Sequence, residues 1–276
     1  GFHTLIFEVI ATIGFGFIIL SLLLKASPKT ICIIGLAIIF CHNLFDFMPD
    51  GNIKTVLSPL LSITPYSLSS KVSLVIAYPP IPWLGIMLVG FATGRLFEMP
   101  LQKRNKIFLT IGLIALLLFV VMRFINIYGD PTAWSVQKNA MFTFLSFINV
   151  TKYPPSLLFS LVTLGIMFLI FAIAEKGNSP AGKVISVYGK VPMFYFLVHI
   201  YLIHATLIVI LFLQGFHWHD LSFETGIFGR PQNVQSGVNL WAVYVIWISV
   251  VVILYKPCVW YGKYKLSHKQ WWLRYL

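Results

Sequence analysis

Acidic side chains are scarce in this sequence: 8 Asp and Glu stand against 20 Lys and Arg, and charged residues of all kinds make up only 10%. Soluble domains carry about 25% charged residues, so a single water-exposed globule is excluded. Cysteine is nearly missing too. Cys32, Cys41 and Cys258 show neither CxxC spacing nor a paired pattern, which excludes a disulfide scaffold and a thiolate metal centre and leaves buried thiols as the expectation. HExxH, GxSxG, Walker and GxGxxG patterns do not occur, so zinc-hydrolase, serine-hydrolase and nucleotide-loop chemistry lack their usual motifs, and no metal is expected. Internal repeats and low-complexity tracts are also missing.

What the sequence has is apolar length. Hydrophobic residues make up 58%, and the mean hydropathy is +0.87. A hydrocarbon core of about 30 Å needs roughly 20 apolar residues per helix. Seven stretches approach that, near 2–24, 30–47, 80–97, 107–126, 155–174, 187–213 and 238–256. Lipid leaves backbone groups no outside partner, so the spans must be helices. The fold class expected is an all-α polytopic transmembrane helix bundle, with 1–276 as a single transmembrane domain. Pro80 and Pro82 open the third span, whereas Pro192 falls inside the sixth and predicts a kink.

The net charge of +12 raises nucleic acid as a partner, but the basic residues fall between apolar runs and not along one face, so membrane lipids are expected instead. Counted in alternate connections, 14 Lys and Arg lie on one side, Lys176 among them, and 6 on the other, including Lys54, Lys71 and Arg230. The positive-inside rule puts the richer side in the cytoplasm and Gly1 outside. Trp271, Trp272 and Tyr275 form an interfacial basic tail at the cytoplasmic C-terminus. The outer connections are the long ones, near 48–79, 127–154 and 214–237, and long loops on one face commonly carry function. Within them, 54–63 and 138–150 have helical spacing and read either as surface-lying amphipathic helices or as partly buried loops.

Ionisable groups within apolar spans are costly, about 2.5 to 3.5 kcal/mol each, and call for a reason. They are Glu8, His42, Asp46, Arg123, His199 and His204. Helical rise from the cytoplasmic ends puts His42 and His199 each about 18 Å in, and Asp46 and His204 about 24 Å in, as matching layers. His42 and Asp46, four apart, share a helix face, so Asp46 is expected to accept a hydrogen bond from the His42 ring and to set its tautomer. His199 and His204 are five apart and face one cavity only if a kink or a wide cavity helps. Arg123, near the outer end of the fourth span, is expected to snorkel or to pair with an acid. His217 and His219 flank Trp218 in a solvated outer loop. Arg95, Lys103, Arg104 and Lys106 gather at the cytoplasmic ends of two spans and suit either anionic headgroups or the phosphates of a donor.

Three stretches and a turn then resemble a known family. They are Tyr78-Pro-Pro-Ile-Pro-Trp-Leu-Gly-Ile-Met, Thr151-Lys-Tyr-Pro-Pro-Ser-Leu-Leu-Phe, Tyr188-Gly-Lys-Val-Pro-Met-Phe-Tyr-Phe-Leu-Val-His-Ile-Tyr-Leu-Ile-His, and Cys41-His-Asn-Leu-Phe-Asp46. Together they resemble bacterial relatives of heparan-alpha-glucosaminide N-acetyltransferase, from Ala11 onward. The resemblance implies acyl transfer from cytosolic acetyl-CoA to a sugar-type acceptor outside, in a bacterial inner membrane. Within that reading, the ionisable groups inside the spans make His42, Asp46, His199 and His204 the expected proton-handling residues, with Glu8, Asn43, Trp83, Arg123 and Tyr195 as expected acceptor contacts. Arg95, Lys103, Arg104 and Lys106 would hold the donor. A homodimer stays open. The family's earlier spans, with an Arg-Gly pair and an outer histidine, have no match here, so the chain reads as truncated. A connecting loop is missing between Ile10 and Ala11, so the first span reads as two part-spans joined. A proton-coupled transporter or flippase using the same buried His and Asp groups, and an inactive homologue, remain alternatives.

Overall fold

Helix starts follow local chemistry. Ser27 caps α2 (Pro28–Cys41), its hydroxyl accepting from Thr30 N at 3.1 Å with Pro28 in the first turn. Asn239 does the same for α10 (Leu240–Ser267) through Ala242 N at 3.3 Å. Both place a short polar side chain where the first helical N–H groups have no partner. The computed structural model describes residues 4–69, 72–174, 179–224, 228–232 and 234–274; Lys71, Lys176 and Tyr275, used in the charge and tail readings, lie outside them. The chain divides into two units, Gly1–Glu175 and Lys176–Leu276.

The first unit holds α1 (Val9–Leu23), α2, α3 (Asn52–Leu61), α4 (Pro80–Gly94), α5 (Leu101–Ile125), α6 (Ala140–Ile148) and α7 (Leu157–Ala174). Its strands are β1 (Thr4–Phe7), β2 (Thr64–Ser69) and β3 (Val72–Ile76), in the order β1-β3-β2. β1 runs parallel to β3 with Thr4 opposite Ser73, and β2 is antiparallel to it with Thr64 opposite Ile76.

This sheet corrects the first span. Residues 4–7 are not helical: β3 supplies their ladder partners, and the extended backbone at Glu8 (ψ −175°) separates strand from helix. The helix that follows runs unbroken through Ile10 and Ala11 and has only 15 residues, short of a full crossing. Among the described residues, six helical stretches are long and apolar enough to cross a membrane: Pro28–Phe47, Pro80–Glu98, Leu101–Ile125, Leu157–Ala174, Pro192–Leu213 and Leu240–Ser267. The architecture is the expected all-α polytopic helix bundle, carrying one small sheet. The surface stretches 54–63 and 138–150 are helical, as α3 and α6.

Small residues let the long helices meet backbone to backbone. A Cβ on Gly35 of α2 would lie 2.9 Å from the Gly85 carbonyl of α4, and one on Gly112 of α5 would lie 2.9 Å from the Gly165 carbonyl of α7. Close helix approach through glycine is the usual packing solution where lipid gives no hydrophobic drive. Leu20, Ile31, Leu84 and Leu88 form one core, and Ile39, Val89, Phe119, Leu157, Leu158 and Leu161 another.

The second unit holds α8 (Pro180–Lys190), α9 (Pro192–Leu213) and α10. Pro192 does not kink a span. It occupies the first turn of α9, after Val191 (φ −137°, ψ 49°) has ended α8. Val191, Cys258, Tyr261 and Leu273 pack together, and Tyr188 Oη donates to the Val251 carbonyl at 2.6 Å. All three cysteines are free, but only Cys258 is buried; Cys32 is half-buried and Cys41 exposed, which corrects the expectation for those two.

Candidate functional site

Past Cys41 the chain tightens from α-helix into a 3₁₀ turn, His42–Phe47. This overturns the expected pair of His42 and Asp46. With three residues per turn, positions three apart eclipse and positions four apart diverge. Asp46 Oδ2 therefore accepts from Asn43 Nδ2 at 3.0 Å, while His42 Nδ1 lies 3.0 Å from the Ile38 carbonyl. A carbonyl only accepts, so Nδ1 carries hydrogen and the neutral ring leaves a lone pair on Nε2. That Nε2 is buried without a hydrogen-bond partner. The His42 side chain borders a groove of about 390 Å³ whose accessible lining is apolar, with Ile34, Ile38, Cys41, Leu61 and Ile81. Asp46 itself is exposed.

Asn43, 5% exposed, faces inward, and its Oδ1 accepts from Leu157 N at 2.8 Å. With Ser156 Oγ accepting from Phe159 N and the Gly129 carbonyl from Leu158 N, the first donors of α7 are satisfied. The Asn43 side chain thus bonds inside the protein through both its oxygen and its nitrogen and positions the turn. Asp130 organises the same loop. Its carboxylate takes hydrogen bonds from Thr132 N, Thr151 N, Thr151 Oγ1 and Ser156 Oγ, all between 2.7 and 2.9 Å.

The Lys-Tyr-Pro-Pro stretch meets the head of α4 through aromatics. Tyr78 Oη donates to Tyr153 Oη at 3.2 Å, with the rings edge-to-face at 5.2 Å. Trp83 lies 5.8 Å from Tyr78, and its Nε1 is buried without a partner. Burial first, and then the bond to Tyr153, push the Tyr78 phenol up to about 12. Tyr153 goes the other way, lowered by accepting from Tyr78 and by the Lys152 ammonium, which sits 4.9 Å over its ring. Glu8 is exposed at the start of α1, where its side chain makes no capping bond, and its charge acts on Tyr78.

Arg123 does not snorkel, and the acid that acts on it, Asp130, does so through its charge and not through a direct ion pair. Arg123 is 1% exposed, and its guanidinium donates to four carbonyls: Phe147 at 2.8 Å, Thr132 at 2.9 Å, Ser146 at 3.0 Å and Asn149 at 2.7 Å. Three of these close the C-terminal turn of α6, where helix carbonyls lack internal partners and the dipole favours a cation. Arg123 is therefore a structural anchor, with four of its five N–H donors given to backbone carbonyls.

The basic set sits at helix ends. Arg95 begins the 3₁₀ turn Arg95–Glu98, and Lys103, Arg104 and Lys106 ride the first two turns of α5, which starts at Leu101, earlier than expected. Arg95, Lys103 and Lys106 are exposed. Arg104 donates to the Phe97 carbonyl at 2.5 Å and stacks 5.3 Å over the Phe97 ring.

In the second unit, His199 and His204 line one groove of about 660 Å³ together with Ile203, Leu207, Phe228 and Arg230. The width of that groove, without any kink, brings the two rings to a common space. His199 Nδ1 lies 3.1 Å from the Tyr195 carbonyl, and its ring stacks on Tyr195 at 5.2 Å. Counted from Pro192, His199 is about 10 Å along its helix, whereas His42 is about 21 Å along α2 from Pro28, so the equal-depth arithmetic no longer holds. His217 and His219 stack at 5.6 Å beside an exposed 3₁₀ turn. Among the described residues, no group of three His, Cys, Asp or Glu side chains is placed to hold a metal.

Sequence reasoning passed over Asp130, Tyr78, Tyr153 and Arg230. The quoted Tyr78 and Tyr153 motifs signalled the two tyrosines, whereas nothing local marks Asp130. No curated protein and no solved structure matches the chain. A family model described as heparan-alpha-glucosaminide N-acetyltransferase, catalytic, does match, over residues 3–128, a stretch that contains the His42–Phe47 turn, Trp83 and the basic start of α5. Over those residues, which carry three of the six long apolar helical stretches, the chain is similar to the heparan-alpha-glucosaminide N-acetyltransferase family.

Proposed function

We propose that the protein is a membrane acetyltransferase-type enzyme of a bacterial inner membrane, moving an acetyl or acyl group from a cytosolic CoA thioester to a sugar-type acceptor at the outer face. The orientation follows the loop charges, with Gly1 outside and the C-terminus in the cytoplasm. The observation that carries the reading is His42 Nε2, a buried ring nitrogen with its lone pair unspent and its tautomer set by Ile38, inside the matched stretch.

In this reading the acceptor hydroxyl or amine attacks the thioester carbonyl while His42 Nε2 takes its proton. The carbon–sulfur bond breaks, and the CoA thiolate leaves and is protonated. Trp83 contacts the acceptor, Glu8 stands at the same outer mouth as Tyr78, and Asn43 with Asp46 hold the turn. Arg95, Lys103 and Lys106 hold the donor phosphates as charge-assisted contacts, with Arg104 fixing the segment they stand on.

The test is a proteoliposome assay with radiolabelled acetyl-CoA and an amino sugar. His42→Gln should lose about 10² to 10⁴ of kcat while CoA still raises the Tm of the variant. Full transfer by a folded His42→Ala protein would remove His42 from the reaction. Stabilisation by a solute, with no response to CoA, would favour transport instead.

A further inference from the structure

The second unit contains a groove outside the matched residues whose chemistry is that of an amphiphile site. His199, Ile203, His204, Leu207, Phe228 and Arg230 line it, and a second groove of about 280 Å³ shares Ile203, Leu207 and Arg230 and continues along Ile210, Val243 and Ile246. The first groove carries His199, His204 and Arg230, and the second is mixed, with Thr206 and Ser236 beside an aliphatic row of Ile203, Leu207, Ile210, Val243 and Ile246. No carboxylate lines either groove, and Arg230 makes no hydrogen bond or ion pair among the described residues. His204 is also uncommitted there: its ring stacks on Phe223 at 6.3 Å, and neither nitrogen is hydrogen-bonded.

The backbone before Arg230 is held in an unusual shape. Phe228 (φ 53°) and Gly229 (φ 88°) are successive left-handed residues, and Gly229 N donates to the Ser222 carbonyl at 2.8 Å. A bulky side chain at positive φ costs about 1 to 3 kcal/mol and persists only where its surroundings impose it. A Cβ on Gly229 would come within 3.2 Å of the Phe223 ring, the same ring that stacks on His204. The turn therefore sets the backbone at Arg230, whose side chain is exposed, and lays the Phe223 ring against His204.

We infer that these joined grooves bind an anionic phospholipid, its phosphate on Arg230 and His204 and its acyl chain along Ile203, Leu207, Ile210 and Ile246. A guanidinium with no ion pair among the described residues selects a headgroup whose phosphate is not neutralised by its own ammonium. The aliphatic extension selects a chain-bearing phosphate over a free one. The site goes beyond acyl transfer and is read without any donor.

The purified, detergent-solubilised protein is titrated with dioctanoyl phosphatidylglycerol, dioctanoyl phosphatidylcholine or inorganic phosphate, with no acyl donor, and followed by thermal shift and native mass spectrometry. Phosphatidylglycerol should raise the Tm with concentration and remain bound in the spectrum, while the other two should do neither at equal concentration. Arg230→Gln should weaken binding by about tenfold or more, whereas Arg230→Lys retains most of it. His204→Gln, a second variant in the same groove, should weaken it by a smaller factor. Undiminished binding by Arg230→Gln, equal binding of phosphatidylcholine, or saturation by inorganic phosphate alone overturns the inference. Acetyl transfer is measured separately, so its failure and the failure of this site are distinct results.

Discussion

Asn43 Nδ2 donates to Asp46 Oδ2 at 3.0 Å, and it is this pair, three residues apart, that closes the turn where α2 ends. Asn43 also takes the Leu157 N–H, so Asn43→Ala breaks two hydrogen bonds and leaves a buried donor unmet. The expected cost is about 2 kcal/mol, read as a lower thermal midpoint in detergent. Asp46→Asn keeps an acceptor at an exposed position and should stay within about 0.5 kcal/mol of the parent.

Lysine cannot replace Arg123. A single ammonium on a flexible stem does not reach four carbonyls spread from Thr132 to Asn149, as the planar fork does. Arg123→Lys should cost about 3 kcal/mol. Limited proteolysis should then cut between residues 126 and 156, where the parent resists.

Gly112→Ala drives a methyl to within 2.9 Å of the Gly165 carbonyl, a backbone atom with little room to yield. Overpacking of this kind costs about 1 to 3 kcal/mol. Gly14→Ala, with nothing within 4 Å of its added Cβ, is the control and should be close to neutral in the same thermal assay.

The Tyr78 phenol, raised to about 12 from an ordinary 10, keeps its proton in the folded protein where the unfolded chain has lost it. The folded state therefore binds more protons between those two values, and this group's contribution, complete below pH 10, is lost as pH climbs through about 12. Tyr78→Phe should flatten that part of the stability profile. Absorbance of tyrosinate in the folded parent should show one late-titrating phenol that the variant lacks.

Apolar length was enough to place the six long helical stretches, because in lipid a run of about 20 apolar residues has one backbone solution. The same rule misread residues 4–7, whose apolar side chains look identical in a strand once a distant segment such as β3 supplies the ladder. The His42 turn was legible in residue type but not in partner, since the switch from 3.6 to three residues per turn leaves no local signature in His-Asn-Leu-Phe-Asp. Asp130 was invisible for another reason. Two of its partners, Thr151 and Ser156, lie 21 and 26 residues away, and nothing in the spacing announces them. His199 and His204 were identified from sequence, but their relation to Arg230 depends on the left-handed turn at Phe228.

Arg123 also bears on how the chain is laid into its membrane. Its guanidinium is carried at the last turn of α5, yet every acceptor comes from chain synthesised afterwards, as far as Asn149. Until that chain has emerged on the same side as the end of α5, the charge has no partners. Once it has, withdrawing the helix end would strand one cation and uncover four carbonyls together. The residue thus ties the last turn of α5 to the chain from Thr132 to Asn149, so that neither can shift without breaking several bonds at once.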